Sequence, residues 1–178
     1  MKDANGKGIG LVMPGGARNA SHTIFSGAMY ATVGAPFNKY APPATLSQTG
    51  TLSLQFKDSG SGTLSYVTTT GQNVVLPMTR QSFGAVVAPT HLDYSDLWWG
   101  GSAQDGWGLT LNQHYDTVVV LWYTYGLDGK PVFYFIPNGT WLDAATLSAS
   151  IHATTGTQFR LPPNADPFSR HPARTRTA

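Results

Sequence analysis

Gly50-Thr-Leu-Ser-Leu-Gln-Phe-Lys57, Asp58-Ser-Gly-Ser-Gly62 and Thr63-Leu-Ser-Tyr66 follow one another without a break, and the fold turns on how they are read. Leu52, Leu54 and Phe56 alternate with Ser and Gln. Leu64 and Tyr66 alternate with Thr63 and Ser65, so each run puts its apolar side chains on one face of an extended chain. The segment between them supplies a carboxylate, hydroxyls and glycines, a set that closes an antiparallel hairpin. A hairpin with one apolar face is marginal alone in water, so further strands are expected around it.

Outward from this hairpin the same pattern recurs. Short β-branched and aromatic runs at residues 7–13, 23–32, 73–81, 97–99, 107–113, 117–125, 131–137 and 146–154 join the central runs 50–57 and 63–69 as candidate strands. Thr70-Gly71-Gln72 and Asp128-Gly129 are further hairpin joints. The expectation is an all-β antiparallel meander closed into a barrel of about eight strands, because closure removes exposed edges. Two strands depart from alternation: Thr117-Val-Val-Val-Leu-Trp-Tyr-Thr-Tyr125 and Pro131-Val-Phe-Tyr-Phe-Ile-Pro137 are apolar on both faces. Their outer face is expected either to be covered or to form an interface.

Composition narrows the function classes. Of 178 residues 41% are hydrophobic, 12% aromatic and only 11% charged, which suits one folded domain rather than a disordered chain. All nine acidic residues are Asp, so mechanisms built on Glu are excluded, and the lack of cysteine excludes disulfides, thiolate nucleophiles and Cys-ligated zinc. The first 159 residues carry seven cations against eight carboxylates, while Arg160, Arg170, Arg174 and Arg176 crowd the end. No nucleic-acid partner is expected from such a body. No apolar run is long enough for a transmembrane helix, and the opening Met1-Lys-Asp-Ala-Asn-Gly-Lys-Gly8 has no signal-peptide core.

An internal repeat is also present. Phe25-Ser-Gly-Ala-Met-Tyr-Ala-Thr-Val-Gly-Ala-Pro-Phe37 aligns at an offset of 122 with Leu147-Ser-Ala-Ser-Ile-His-Ala-Thr-Thr-Gly-Thr-Gln-Phe159. At an offset of 123, Gly6-Lys-Gly-Ile-Gly-Leu-Val-Met-Pro-Gly-Gly16 aligns with Gly129-Lys-Pro-Val-Phe-Tyr-Phe-Ile-Pro-Asn-Gly139. The chain reads as about 1.4 copies of a module roughly 122 residues long, with residues 1–40 repeating the hairpin of 124–162. Residues 1–160 are expected to form a single β-barrel domain. A barrel needs this hairpin once, so the extra copy is expected to extend the sheet, be displaced, or complete a neighbour as a strand-exchanged homodimer. The second copy, with Val132, Phe133, Tyr134, Phe135 and Ile136, is the more apolar and is expected in the barrel.

Leu97-Trp-Trp-Gly-Gly-Ser-Ala-Gln-Asp-Gly-Trp-Gly-Leu-Thr-Leu111, with Asp116-Thr-Val and Trp122-Tyr-Thr-Tyr-Gly-Leu-Asp-Gly-Lys-Pro131, resembles a Trp/Gly-rich β-repeat module of secreted proteobacterial proteins. The resemblance covers about residues 4–160. It implies an extracytoplasmic or secreted parent protein and brings no established catalytic residues. Two departures stand out: the chain starts mid-module, and residues 161–178 do not continue the pattern and are expected to be a disordered tail.

Three constellations could carry chemistry. Trp98, Trp99, Trp107, Trp122, Trp141, Tyr123, Tyr125 and Tyr134 are close in sequence. They either fill a core or, at a barrel mouth, stack on a sugar or small apolar ligand, for which Trp98, Trp99, Trp107, Trp122 and Tyr125 are the binding candidates. Trp98 and Trp99 are adjacent, so on a strand only one of them can face the core. On a strand, each of the pairs His91-Leu-Asp93 and His114-Tyr-Asp116 would place an imidazole and a carboxylate on one face. That is the arrangement of a general base with its orienting acid, or of a divalent-metal site, the alternative being turn or surface duty. His152 stands where the first copy has Tyr30, so the module does not need imidazole there. Asp105, in the Ser102-Ala-Gln-Asp-Gly-Trp-Gly108 loop, is a further catalytic candidate or an ordinary loop carboxylate. No nucleophile elbow, P-loop or dinucleotide fingerprint occurs.

Two functions follow as expectations. One is a non-catalytic module binding a carbohydrate or small apolar ligand through its tryptophans. The other is a small hydrolase of esters, phosphoesters or glycosides using these His and Asp residues, with no cofactor or with a divalent metal.

Overall fold

The computed structural model describes residues 10–36, 38–39 and 44–154. The expected tail at 161–178 and residues 7–9 of the first candidate strand lie outside these. The fold is all-β and its strands pair antiparallel. Among the described residues the only helical turn is a 3-10 turn at Ser102–Gln104. The described chain divides into two compact units. The smaller holds Leu11–Thr32 and Thr45–Ser82; the larger holds the residues from Phe83 onward with Gly10, 33–36, 38–39 and Ala44.

The smaller unit is built on one sheet. Its strands are β1 (Leu11–Val12), β2 (Ala17–Arg18), β3 (Ile24–Val33, whose last residue belongs to the larger unit), β4 (Thr45–Phe56), β5 (Ser61–Thr68) and β6 (Asn73–Thr79). The order is β1-β3-β4-β5-β6, with β2 also on β3. The central hairpin forms as expected, Leu52 opposite Tyr66 and Leu54 opposite Leu64. β6 continues the face, with Val74 opposite Tyr66 and Leu76 opposite Leu64. Tyr66 is buried, whereas Phe56, at the strand end, is exposed although it shares the apolar face. The turn is held by Asp58, whose carboxylate accepts hydrogen bonds from the Gly60 amide at 2.7 Å and the Ser61 hydroxyl at 2.8 Å. These bonds, the Gly60 one foremost, lower its pKa. Gly71, at φ 82, makes the next turn.

The larger unit carries β7 (Asp96–Trp98), β8 (Gly108–His114), β9 (Thr117–Tyr125), β10 (Pro131–Ile136), β11 (Gly139–Trp141), β12 (Leu147–Ala149) and β13 (His152–Ala153). The main sheet runs β13-β10-β9-β8-β7, and β11 pairs with β12. Val118 (1% exposed), Val120 and Thr124 mark the buried face of β9, and Gln113 lies opposite Val118. Trp98, Leu109, Trp122 and Tyr134 form a cross-strand row on the same face. The other face of β9 is also apolar but only half-covered, and Tyr123 there is exposed.

The barrel does not form. Both main sheets stay open, one ending at β1 and β6, the other at β13 and β7. A continued meander needs a hairpin between β6 and β7. The intervening 80–95 stretch instead holds no strand and, from Phe83 on, is tied to the β8–β9 hairpin: the Thr90 and His91 amides donate to Asp116, and the Tyr94 amide to Gln113. The hairpin copies differ from expectation too. Neither closes a barrel: the first copy lies in the sheet of the smaller unit, and the second is divided between the main sheet of the larger unit, with β10 and β13, and the β11–β12 pair. The candidate strand 146–154 is broken into β12 and β13, and 97–99 becomes Asp96–Trp98, with Trp99 just past the strand end.

Candidate functional site

The aromatic candidates sort into two groups. Trp98 and Trp122 belong to the cross-strand row. Trp122 is tilted on Tyr134, ring centroids 5.4 Å apart, and the Trp98 indole N–H donates to the Tyr94 carbonyl at 3.0 Å. Trp98 nevertheless keeps 48% of its surface exposed. Trp99 and Trp107 belong instead to the glycine-rich loop between β7 and β8. Gly100 lies so close to the Trp107 ring and Gln104 that a Cβ there would sit 2.8 Å from each. Trp99 is 59% exposed, yet its indole N–H donates to Asp105 Oδ1 at 3.1 Å. Asp105 thus steadies an indole. Tyr125 is packed against Gly34, where a Cβ would sit 2.5 Å from its ring, and backs the loop at Gly106. The ring is half-buried against this backbone.

The histidines and carboxylates pair differently from their sequence order. His91 Nδ1 lies 3.2 Å from Asp116 Oδ1, so the carboxylate serving His91 comes from the β8–β9 turn and not from Asp93. Asp116 also accepts the Thr90 hydroxyl at 2.6 Å and the amides of Thr90 and His91 at 2.9 Å and 3.1 Å. These bonds, above all that from the Thr90 side chain, bring the Asp116 pKa down to about 2. The His91 ring stacks on Trp141, centroids 4.2 Å apart and planes 10° from parallel. Trp141 is itself placed by its indole N–H, which donates to the Asp116 carbonyl at 2.9 Å. Tyr115, at φ 58, takes the left-handed conformation that sets this two-residue turn and its Asp116.

His114 is engaged elsewhere. Its ring stacks on Phe83 at 3.9 Å, and its Nδ1 lies 3.2 Å from the Phe83 carbonyl oxygen. Asp93 accepts from Ser95, whose side chain and amide lower its pKa, with a smaller contribution from His114. Among the described residues, no group of three or more His or Asp side chains is arranged to hold a metal ion. None of the described helical segments is long and apolar enough to cross a membrane.

Three contributors were not legible in the sequence. Thr90 precedes His91, but nothing in that adjacency shows that its hydroxyl reaches a carboxylate twenty-six residues on. Gln113 reads as an ordinary polar strand residue. In the fold it is buried, accepting from the Tyr94 amide and donating to the Leu92 and Tyr115 carbonyls. Trp141 counted only as one aromatic among many.

Against protein-family models, curated proteins and solved structures, the chain finds no match.

Proposed function

We propose that the larger unit is an extracytoplasmic module that binds a carbohydrate or small apolar ligand on the loop carrying Trp99, Gln104, Asp105 and Trp107, beside Trp98. The observation that carries this reading is the state of Trp99, a large ring left 59% in solvent while its indole is tied to Asp105 at 3.1 Å. A ring oriented without being buried loses little further entropy when a ligand stacks on it. Gln104 and Asp105 supply amide and carboxylate oxygens next to it for hydroxyl groups. The extracytoplasmic placement rests on the family resemblance of residues 97–131.

Titration of the tryptophan fluorescence with soluble oligosaccharides and with an apolar aromatic probe tests this. A saturable change is expected, weakened about tenfold or more in Trp99→Ala and retained in Trp122→Phe, since Trp122 belongs to the sheet. A change that persists in Trp99→Ala, or none at millimolar ligand, refutes the site.

A second reading is favoured by the His91–Asp116 pair. Asp116 at Nδ1 fixes the imidazole so that Nε2 is the nitrogen left to take a proton from a water attacking an ester or phosphoester, without a metal. Turnover of chromogenic esters and phosphates should then vanish in His91→Ala, survive in His114→Ala and be indifferent to chelator. Loss in His114→Ala with His91→Ala still active would reverse that assignment.

A further inference from the structure

The two copies of the hairpin can be compared strand by strand. In the first, Leu11 pairs with Ala31 and Val12 with Tyr30; in the second, Tyr134 pairs with Ala153 and Phe135 with His152. These are equivalent positions under the offsets of 123 and 122. The agreement extends to the outer ends, where Ala17 opposite Ser26 and Arg18 opposite Phe25 match Thr140 opposite Ser148 and Trp141 opposite Leu147. The register is the same in both copies.

Their neighbours are complementary. On the far side of β3 lies β4, and beyond β10 lies β9. Among the described residues, nothing pairs with the far side of β12–β13, the equivalent of β3, or with the far side of β1, the equivalent of β10. The consequence shows in side chains. Met29 of β3 is 2% exposed, and its equivalent Ile151 is 48% exposed. It shows in the backbone as well, since β3 is one strand of ten residues and the equivalent stretch breaks into β12 and β13 around Ser150 and Ile151. An edge with an uncovered apolar side chain and a broken ladder lacks the neighbour its copy possesses.

We propose that the free edge of β12–β13 takes β4 of a second copy of this chain, which leaves its own β3 to do so. The exchange trades one β4 partner, β3, for the stretch equivalent to it in the repeat. It also buries Ile151 and gives β12–β13 a second neighbour. The hairpin released is the poorer one: β10 brings Val132, Phe133, Tyr134, Phe135 and Ile136, against the glycine-rich first copy with Leu11 and Val12. Val12, exposed on β1, then lies outside the new contact.

Sedimentation velocity on the full chain from about 1 to 100 µM tests this. A concentration-dependent dimer is expected. Ile151→Asp, a change at an exposed position, should weaken it at least about tenfold while the circular dichroism of the monomer is unchanged. Met29→Ala, the equivalent position in the competing strand, should act in the opposite direction and raise the dimer fraction. Val12→Asp should leave the dimer as it was. A chain that stays monomeric throughout overturns the proposal, whether β4 remains on β3 or moves to its own β12–β13. A dimer lost in Val12→Asp and kept in Ile151→Asp overturns the choice of edge.

Discussion

Gly50→Ala is expected to cost the smaller unit about 3 kcal/mol or more, enough to lower its thermal midpoint by roughly 10 °C or more. Gly50 lies in β4 opposite Thr68, and a Cβ on it would sit 2.1 Å from the Val67 carbonyl oxygen and 2.9 Å from the Thr68 Cα. Both are backbone atoms of the paired strand. A flexible side chain could swing aside, but here relief requires opening the β4–β5 ladder at the centre of its sheet. Gly71→Ala is the matching control. Gly71 is at φ 82 with nothing within 4 Å of its missing Cβ, so the cost there is the conformational one alone, about 1–2 kcal/mol. Scanning calorimetry of the two variants should show the larger loss for Gly50→Ala. Equal losses would mean that the β4–β5 contact is looser than the ladder indicates.

The second large effect is expected at Asp116. Asp116→Ala removes the acceptor of the Thr90 amide, the Thr90 hydroxyl, the His91 amide and His91 Nδ1 together. The link between β6 and β7 then loses its hold on the β8–β9 turn, and the His91 ring loses the group that orients it over Trp141. Amide exchange at Thr90 and His91 should quicken by roughly tenfold or more, and Trp141 emission should shift. The unmutated protein should show the same loosening in acid. A carboxylate whose folded pKa lies below its unfolded value stabilises the fold fully above the unfolded value and ceases to do so as pH falls through the folded one. For Asp116 this window runs from 3.8 down to about 2. Protection of these two amides should therefore be intact at pH 5 and lost as pH approaches 2. Protection already lost at pH 5 would show that Asp116 is not what holds them.

Local sequence determined the longer strands and the hairpin turns of this protein, because alternation and turn chemistry act over a few residues. Leu52, Leu54, Leu64 and Tyr66 share the expected face, and Asp58, Gly71 and Gly129 make turns where such residues belong. The offsets of 122 and 123 were read from the sequence, whereas the pairing of Leu11 with Ala31 and of Tyr134 with Ala153 at positions related by them is seen only in the fold. Tertiary structure decided the rest. Whether β6 pairs with β7 depends on the 80–95 stretch, which carries no periodic signal and is tied down by contacts to residues far along the chain. For the same reason His91 meets Asp116 rather than Asp93: a spacing of two can put two side chains on one face only where a strand exists, and His91 lies in none. The two neighbouring tryptophans differ because β7 ends between them, leaving Trp98 in a row across the sheet and Trp99 on a loop, where an indole N–H bonded to Asp105 holds it in solvent.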